Sequence, residues 1–209
     1  MDYSLVKRVD HLVYSTMDLE KSVTDLEGGL GARAAPGGRH PGRGTRNALL
    51  ALSASAYLEI VGPEAGADAP RWFAVDTLTA PRLFTWAVKG TDLVRFADEA
   101  NRDGVRLGAV VSGSRQGSDG RLLRWQFTDP ATVVADGLVP FFIDWGDSPH
   151  PSVTAPRGPT LVSLRGEHPE PKEVARALAV VGVDLPIKRG PRILLIATLR
   201  TEMGVIELQ

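Results

Sequence analysis

The sequence predicts an α+β fold built from repeated βαβββ units, in which a strand is followed by a helix and three further strands. The same order of strand-like and helix-like patterns occurs three times along the 209 residues. Each predicted helix ends at a glycine, and subtraction gives spacings of 73 and 78 residues between Gly31, Gly104 and Gly182. Each unit also closes on a strand that carries an acid, namely Glu59, Asp144 and Glu207. A period this long indicates duplication of a domain-sized module and not a solenoid repeat.

The first unit opens with a strand and a helix that are both visible in the hydrophobic pattern. Residues 9–16 alternate with the period of a half-buried strand and place His11 on one of its faces. Asp18 is a typical N-cap residue, and the apolar positions of residues 19–30 recur at helical spacing. These patterns predict a strand followed by a capped amphipathic helix.

The rest of the first unit is expected to contain a loop and a hairpin. Residues 35–46 are rich in Gly, Pro and Arg, which favours a loop. The apolar runs 47–53 and 56–62 are separated by Ala54 and Ser55, and this spacing predicts a tight β-hairpin.

The second and third units repeat this order. Helical patterns cover residues 92–103 and 170–181. Strand patterns cover residues 83–90, 105–112, 121–128, 138–146, 160–166, 184–190, 192–199 and 204–209.

The three units suggest how the chain is organised. We expect residues 1–150 to form a paired core, with modules at residues 1–63 and 81–150. Residues 151–209 are expected to pack on this core as a third, degenerate module. One face of each sheet is expected to be covered by helices, which leaves the other face free to form the wall of a cleft.

Charge and composition narrow the possible partners. The formal net charge is -1, with 24 Lys and Arg residues against 25 Asp and Glu residues. This balance gives no global field to recruit nucleic acid or an anionic membrane, so a small-molecule ligand is expected. The absence of cysteine excludes thiol catalysis, thiolate metal sites and disulfides. The N-terminal residues lack the apolar run of a signal peptide, and we expect a cytoplasmic monomer or homodimer.

Several motifs make a family resemblance specific. Residues 10–13 (DHLV) resemble the opening strand of a vicinal oxygen chelate module, and residues 57–59 (YLE) resemble its closing strand. Residues 37–52 and 138–152 resemble the signature of the glyoxalase-like domain family within this superfamily, which also includes bleomycin-resistance proteins and dioxygenases. The resemblance implies a U-shaped mixed sheet formed by tandem βαβββ modules around a cleft. It also implies either metal-dependent chemistry or metal-free binding of a small molecule in that cleft.

The resemblance implies a set of candidate metal ligands on the first and last strands of two modules. A displacement of 74 residues (92 minus 18) superposes the two helix starts and places Thr85 opposite His11. The closing strands pair Glu59 with Asp144. We therefore expect His11, Glu59 and Asp144 to hold a divalent ion such as Zn, Fe, Mn or Ni. Thr85 is a poor ligand, so a polar cleft without a metal is the alternative.

Other candidate residues surround this set. The segment from residue 37 to residue 47 could fold over the cleft and fix a substrate, or it could be a rigid surface connection. Arg124 could clamp a substrate carboxylate if its face of the strand is the concave one. Glu59 and His40 are the candidate catalytic groups. The candidate substrate-binding residues are His40, Arg43, Thr45, Asn47, Thr85 and Arg124.

Three further residues are expected to lie outside the site. Trp86 and Trp145 fall on the strand faces opposite Thr85 and Asp144, so both are expected to pack beneath the helices. His150, beside Pro151, is expected in an exposed turn, and a role as general base is the alternative.

Two functions remain open from the sequence. In the first, the chain is a metal-dependent lyase or isomerase that acts on a small carbonyl-bearing metabolite. In the second, it is a metal-free protein that binds or sequesters a small molecule in the same cleft.

Overall fold

The computed structural model describes residues 3–67, 72–116 and 120–209. The helices are α1 (Tyr3–Arg8), α2 (Leu19–Leu30), α3 (Leu93–Arg102) and α4 (Pro171–Val180). The strands of the first two modules are β1 (Val9–Ser15), β2 (Ala35–His40), β3 (Thr45–Ser53), β4 (Ala56–Pro63), β5 (Arg82–Lys89), β6 (Val110–Gln116), β7 (Leu122–Thr128) and β8 (Phe141–Asp144). The remaining strands are β9 (Thr160–His168), β10 (Ile187–Arg189), β11 (Leu194–Thr201) and β12 (Gly204–Leu208).

The predicted α+β fold with three βαβββ modules is confirmed. Strands β1 to β8 form one curled sheet in the order β2-β3-β4-β1-β5-β8-β7-β6. Strands β9 to β12 form a second sheet in the order β10-β9-β11-β12. Within each module the first strand runs parallel to a later strand, as a helical crossover requires.

The helix boundaries follow the predicted start and stop signals. Asp18 caps α2, since its carboxylate accepts a hydrogen bond of 3.0 Å from the backbone N–H of Lys21. Gly31 ends the same helix with a φ of 70°, in the left-handed region that favours glycine. Asp92 precedes α3 as expected, but its side chain makes no capping bond. None of the helices in the described ranges is long and apolar enough to cross a membrane.

Two local predictions were wrong. Residues 35–46 were expected to form a loop, but residues 35–40 form β2 at the edge of the large sheet. Pro36 has no backbone N–H to donate, and an edge strand tolerates this because it pairs with a neighbour on one side only. The pairing register also shifts between Pro36 and Gly38. The strand expected from residue 105 begins only at Val110.

The apolar core lies between the helices and the convex face of the large sheet and extends into the second sheet. Trp86 is fully buried there and donates a hydrogen bond of 3.0 Å from Nε1 to the carbonyl of Leu138, as predicted for a core residue. A second, smaller cluster lies on the concave face and includes Val13, Phe127 and Phe141. The concave face is therefore also partly apolar.

Candidate functional site

Polar side chains from four neighbouring strands converge on the concave face of the large sheet. His11 lies on β1, His40 on β2, Asn47 on β3 and Glu59 on β4, and all four are buried. Side chains two residues apart on a strand share a face, which puts Tyr57 beside Glu59 on the same surface. These residues line one cavity.

Glu59 is the centre of this group. Its Oε2 lies 3.5 Å from Nε2 of His11, and its Oε1 lies 3.4 Å from Nε2 of His40. The amide nitrogen of Asn47 donates a hydrogen bond to Oε1 as well. One carboxylate is thus shared by two imidazoles and one amide.

The surroundings of Glu59 determine its charge. Burial raises the pKa of the Glu59 carboxyl, but the hydrogen bonds from His40 and Asn47 and the positive charges that His11 and His40 carry when protonated outweigh it. The net result lowers the pKa of Glu59 from 4.5 to about 2. Glu59 is therefore a stable anion near neutral pH and can stabilise a proton on a neighbouring imidazole.

His11 is held from its other side by Asp10. Asp10 Oδ1 lies 2.7 Å from Nδ1 of His11, while Asp10 Oδ2 lies 3.2 Å from Nε2 of His150. Trp145 also donates from Nε1 to this carboxylate. Burial raises the pKa of Asp10, but the hydrogen bonds from His11 and His150 outweigh it and hold the pKa well below its usual range.

His40 is oriented by Thr45. Its Nδ1 lies 2.8 Å from the hydroxyl oxygen of Thr45, which is fully buried. Its Nε2 lies 3.2 Å from the amide nitrogen of Asn47. In the neutral tautomer whose Nδ1–H donates to Thr45, the lone pair of Nε2 accepts from the Asn47 amide.

The cavity itself is small and aromatic. Its volume is about 40 Å³, which is room for two or three water-sized groups. A wider hollow of about 230 Å³ adjoins it, since His40, Trp72, Trp125 and Phe127 line both. The aromatic side chains around the smaller cavity are Tyr57, Trp72, Phe73, Trp125, Phe127, Phe141 and Trp145.

The structure brings together most of the predicted site residues from the first module. His11, His40, Asn47 and Glu59 line the cavity, and Thr45 contacts it through His40. Arg43 lies beside the adjoining hollow, with its guanidinium carbon 4.6 Å from the ring centroid of Trp72.

The predicted residues from the second module do not join this group. Asp144 and Arg124 line a separate surface depression, and the Asp144 carboxylate accepts a bond from the backbone N–H of Gly146. Thr85 lies in a smaller crevice on the other side of Phe141. Strand β8 instead turns Phe141 and Ile143 to the cavity.

Strand register explains why Asp144 is displaced. Strand β1 pairs with β5 through His11↔Ala87 and Val13↔Thr85. The shift of 74 residues that superposes the modules takes His11 to Thr85 (85 minus 11) and Val13 to Ala87 (87 minus 13), so it exchanges these two pairs. The two modules are therefore related by an approximate two-fold axis. Val13 lies opposite Glu59 in one module, and Ala87 lies opposite Phe141 in the other. Phe141 is therefore the structural equivalent of Glu59, and the sequence pairing of Glu59 with Asp144 was wrong by three residues.

These positions do not fit the metal that the resemblance implies. The equivalents of His11 and Glu59 are a hydroxyl side chain, Thr85, and an apolar ring, Phe141, so the second module supplies no imidazole or carboxylate. Across residues 3–67, 72–116 and 120–209, no group of three or more His, Asp or Glu side chains is arranged to hold a metal ion.

Sequence reasoning missed several residues that form the site. Arg115 and Trp125 line the cavity, and Trp145 faces it instead of packing beneath the helices. His150 is not in an exposed turn but contacts Asp10. The signal was available in strand alternation, since Trp125 and Phe127 share a face of β7 with Leu123, the residue that pairs with Arg115 on β6.

The fold and this site define the class to which the protein belongs. Residues 9–182, well over half of the chain, match the model of the glyoxalase-like domain family. The chain belongs to this family, as the sequence resemblance predicted. A search of curated proteins gave no match.

Similar solved structures come from several bacteria. A hypothetical protein from Staphylococcus aureus matches with a TM-score of 0.70 at 12% identity, over 96% of this chain and 98% of that chain. A variant methylmalonyl-CoA epimerase from Streptomyces coelicolor, in complex with 2-nitronate-propionyl-CoA, matches with a TM-score of 0.48 at 20% identity, over 68% and 96%. The epimerase from Mycobacterium tuberculosis matches with a TM-score of 0.43 at 23% identity, over 68% and 89%.

Proposed function

We propose that this protein is an isomerase or lyase of the proton-transfer type that acts on a small carbonyl-bearing metabolite without a resident metal. The observation that carries the proposal is the position of Glu59 between the Nε2 atoms of His11 and His40 on the wall of an aromatic cavity. These three side chains can transfer a proton from the carbon beside a carbonyl group, because together they supply a base, an acid and a fixed negative charge.

The residues take distinct roles in this proposal. His40 removes the proton from the carbon beside the substrate carbonyl through the Nε2 lone pair of its neutral tautomer, which substrate reaches in place of the Asn47 amide. The electrons of the broken C–H bond move to the carbonyl oxygen and form an enolate. Glu59 stabilises the imidazolium of His40 across 3.4 Å, and Asp10 holds His11 as a donor for the developing oxyanion. Return of a proton to this carbon re-forms the carbonyl group, and return to its opposite face inverts the configuration and completes the isomerisation.

The aromatic walls support this chemistry in two ways. They exclude water, which strengthens each electrostatic contact in the cavity. They also limit the substrate to a small molecule, because the space around Glu59 is only about 40 Å³.

Solvent exchange tests the proposal without knowledge of the natural substrate. The protein is incubated in D₂O with pyruvate, hydroxyacetone or phenylpyruvate, and loss of the proton signal beside the carbonyl is followed by NMR. We expect faster exchange with wild-type protein, and a loss of about 100-fold or more for Glu59→Gln and His40→Gln. Asp144→Asn is the matched control, since its carboxylate lies outside the cavity.

Two results would contradict the enzyme proposal. Exchange equal to that in buffer would reject proton transfer for these compounds, and unchanged exchange in Glu59→Gln would remove Glu59 from the mechanism. Binding without exchange would instead favour a second function, metal-free sequestration of a small molecule. The seven aromatic rings of the cavity favour that alternative, because they supply more apolar than polar contact.

A further inference from the structure

Arg115 is a buried cation in the wall of the cavity. It lies on β6 and faces the concave side, with only 9% of its surface exposed. Its Nη1 donates a hydrogen bond of 2.8 Å to the carbonyl of Gly37 on β2. Arg115 thereby connects the two edge strands of the curled sheet.

Arg115 differs from other arginines of the chain in its partners. Arg46 is more exposed and is paired with Glu20, and Arg165 is paired with Glu207. Within the described ranges, no Asp or Glu side chain forms an ion pair with Arg115. The carboxylate of the same cavity, Glu59, is already shared by two histidines and an amide.

An unpaired buried guanidinium is costly. Arginine stays protonated at all physiological pH values, and its five N–H groups need acceptors once water is removed. The carbonyl of Gly37 satisfies one of them. The charge and the remaining donors of Arg115 are therefore available to an anion that enters the cavity.

The backbone around Arg115 leaves space for this arrangement. A Cβ atom added at Gly38 would lie 3.3 Å from Cδ of Arg115, and one added at Gly37 would lie 2.3 Å from Oδ1 of Asn47. This Oδ1 atom is buried without a hydrogen-bond partner in the described part of the chain. The two glycines thus give room to the Arg115 side chain and to the Asn47 amide, which a Cβ atom at either position would crowd.

Tyr57 adds a neutral donor to the same wall. Burial raises the pKa of Tyr57 well above its usual value, although the charge of Arg115 partly opposes this effect. The Tyr57 hydroxyl therefore keeps its proton at neutral pH and can donate to an anionic oxygen.

We propose that Arg115 is the receptor for the carboxylate of a small 2-oxo or 2-hydroxy acid, with Tyr57 as a second donor. A planar carboxylate matches the remaining edge of the guanidinium and fits a cavity of about 40 Å³. This inference rests on the proposed small-molecule cavity and names the class of its ligand.

The test compares acids with their neutral amides. Binding of pyruvate, lactate and phenylpyruvate, of the matching amides, and of inorganic phosphate is measured by calorimetry and thermal shift on the full chain. We expect the acids to bind and the amides to bind at least about tenfold more weakly. Arg115→Met should weaken the acids by a similar factor, and Arg115→Lys should retain part of the affinity. Arg124→Met, on the neighbouring strand and outside the cavity, is the matched control.

The outcomes separate this proposal from the proposed activity. Equal binding of acid and amide by wild-type protein, which needs no variant to fold, would overturn the receptor role of Arg115. Binding of phosphate but of none of the acids would overturn the assignment to carboxylates, and so would binding of neither. Arg115-dependent binding of an acid whose protons do not exchange would support the receptor and reject the enzyme.

Discussion

Phe141 occupies in the second half of the large sheet the position that Glu59 occupies in the first. Phe141 lies opposite Ala87 of β5, and Glu59 lies opposite Val13, the equivalent residue of β1. The Phe141 ring packs against His11, with 5.3 Å between ring centroids and 68° between ring planes. An apolar ring thus contacts the imidazole where the two-fold relationship would place a second carboxylate.

This relationship gives a prediction about metal binding. Wild-type protein purified without chelator is expected to contain no stoichiometric divalent metal, because its second module lacks ligands at Thr85 and Phe141. The double variant Thr85→His/Phe141→Glu restores an imidazole and a carboxylate at these positions and is expected to gain binding of Zn²⁺ or Co²⁺. Elemental analysis and the thermal shift with each ion measure both results. Stoichiometric metal in wild-type protein, lost in His11→Ala, would contradict the prediction.

The fold was more predictable than the site because its signals are periodic. Strand alternation in β1, the cap at Asp18 and the glycine stop at Gly31 each report a local backbone conformation, and the structure has all three. β2 was missed because its Gly- and Pro-rich composition disfavours a strand, while pairing with β3 at the sheet edge outweighs that preference.

The site was only half predictable because its geometry depends on register between distant strands. Glu59 and His11 could be placed from motifs within one module. Asp144 was misplaced because a slip along β8 by an odd number of residues turns a side chain to the other face of the sheet. Arg115 carries no motif, and its role depends on contact between β6 and β2, which lie at opposite ends of the strand order.

Stability is expected to fall in acid because of Glu59 and Asp10. The folded pKa of Glu59 is about 2, below its usual 4.5, so the unfolded chain binds more protons between these values. The contribution of Glu59 to the free energy of unfolding is fully present above about pH 4.5 and is lost as pH falls towards 2. It amounts to roughly 3 kcal/mol for Glu59, and the lowered pKa of Asp10 acts in the same direction. Urea unfolding from pH 3 to pH 7 measures it, and an equally steep loss in Glu59→Gln would refute this origin.

Thr45 is expected to affect catalysis by fixing the ring of His40. Thr45→Val removes the hydroxyl that lies 2.8 Å from Nδ1 and leaves this buried nitrogen without a partner. We expect a loss of about 1–3 kcal/mol in the free energy of unfolding and a larger fall in the rate of proton exchange than in ligand affinity. Thr85→Val is the matched control, since Thr85 is also buried but lies outside the cavity. Equal effects of the two substitutions on exchange would show that the Thr45 hydroxyl does not position His40.

Two glycine substitutions are expected to have opposite effects on stability. A Cβ atom at Gly113 would lie 2.3 Å from the indole of Trp125, so Gly113→Ala must displace this ring from the wall shared by the cavity and the adjoining hollow. We expect a loss of about 1–3 kcal/mol in the free energy of unfolding and weaker binding of pyruvate. Gly28 is exposed in α2 with no neighbouring atom within 4 Å of an added Cβ, so Gly28→Ala is expected to stabilise the protein by about 0.5–1 kcal/mol. Urea unfolding and calorimetry measure both effects. If Gly113→Ala bound pyruvate as wild type does, Trp125 would not be part of the ligand-binding wall.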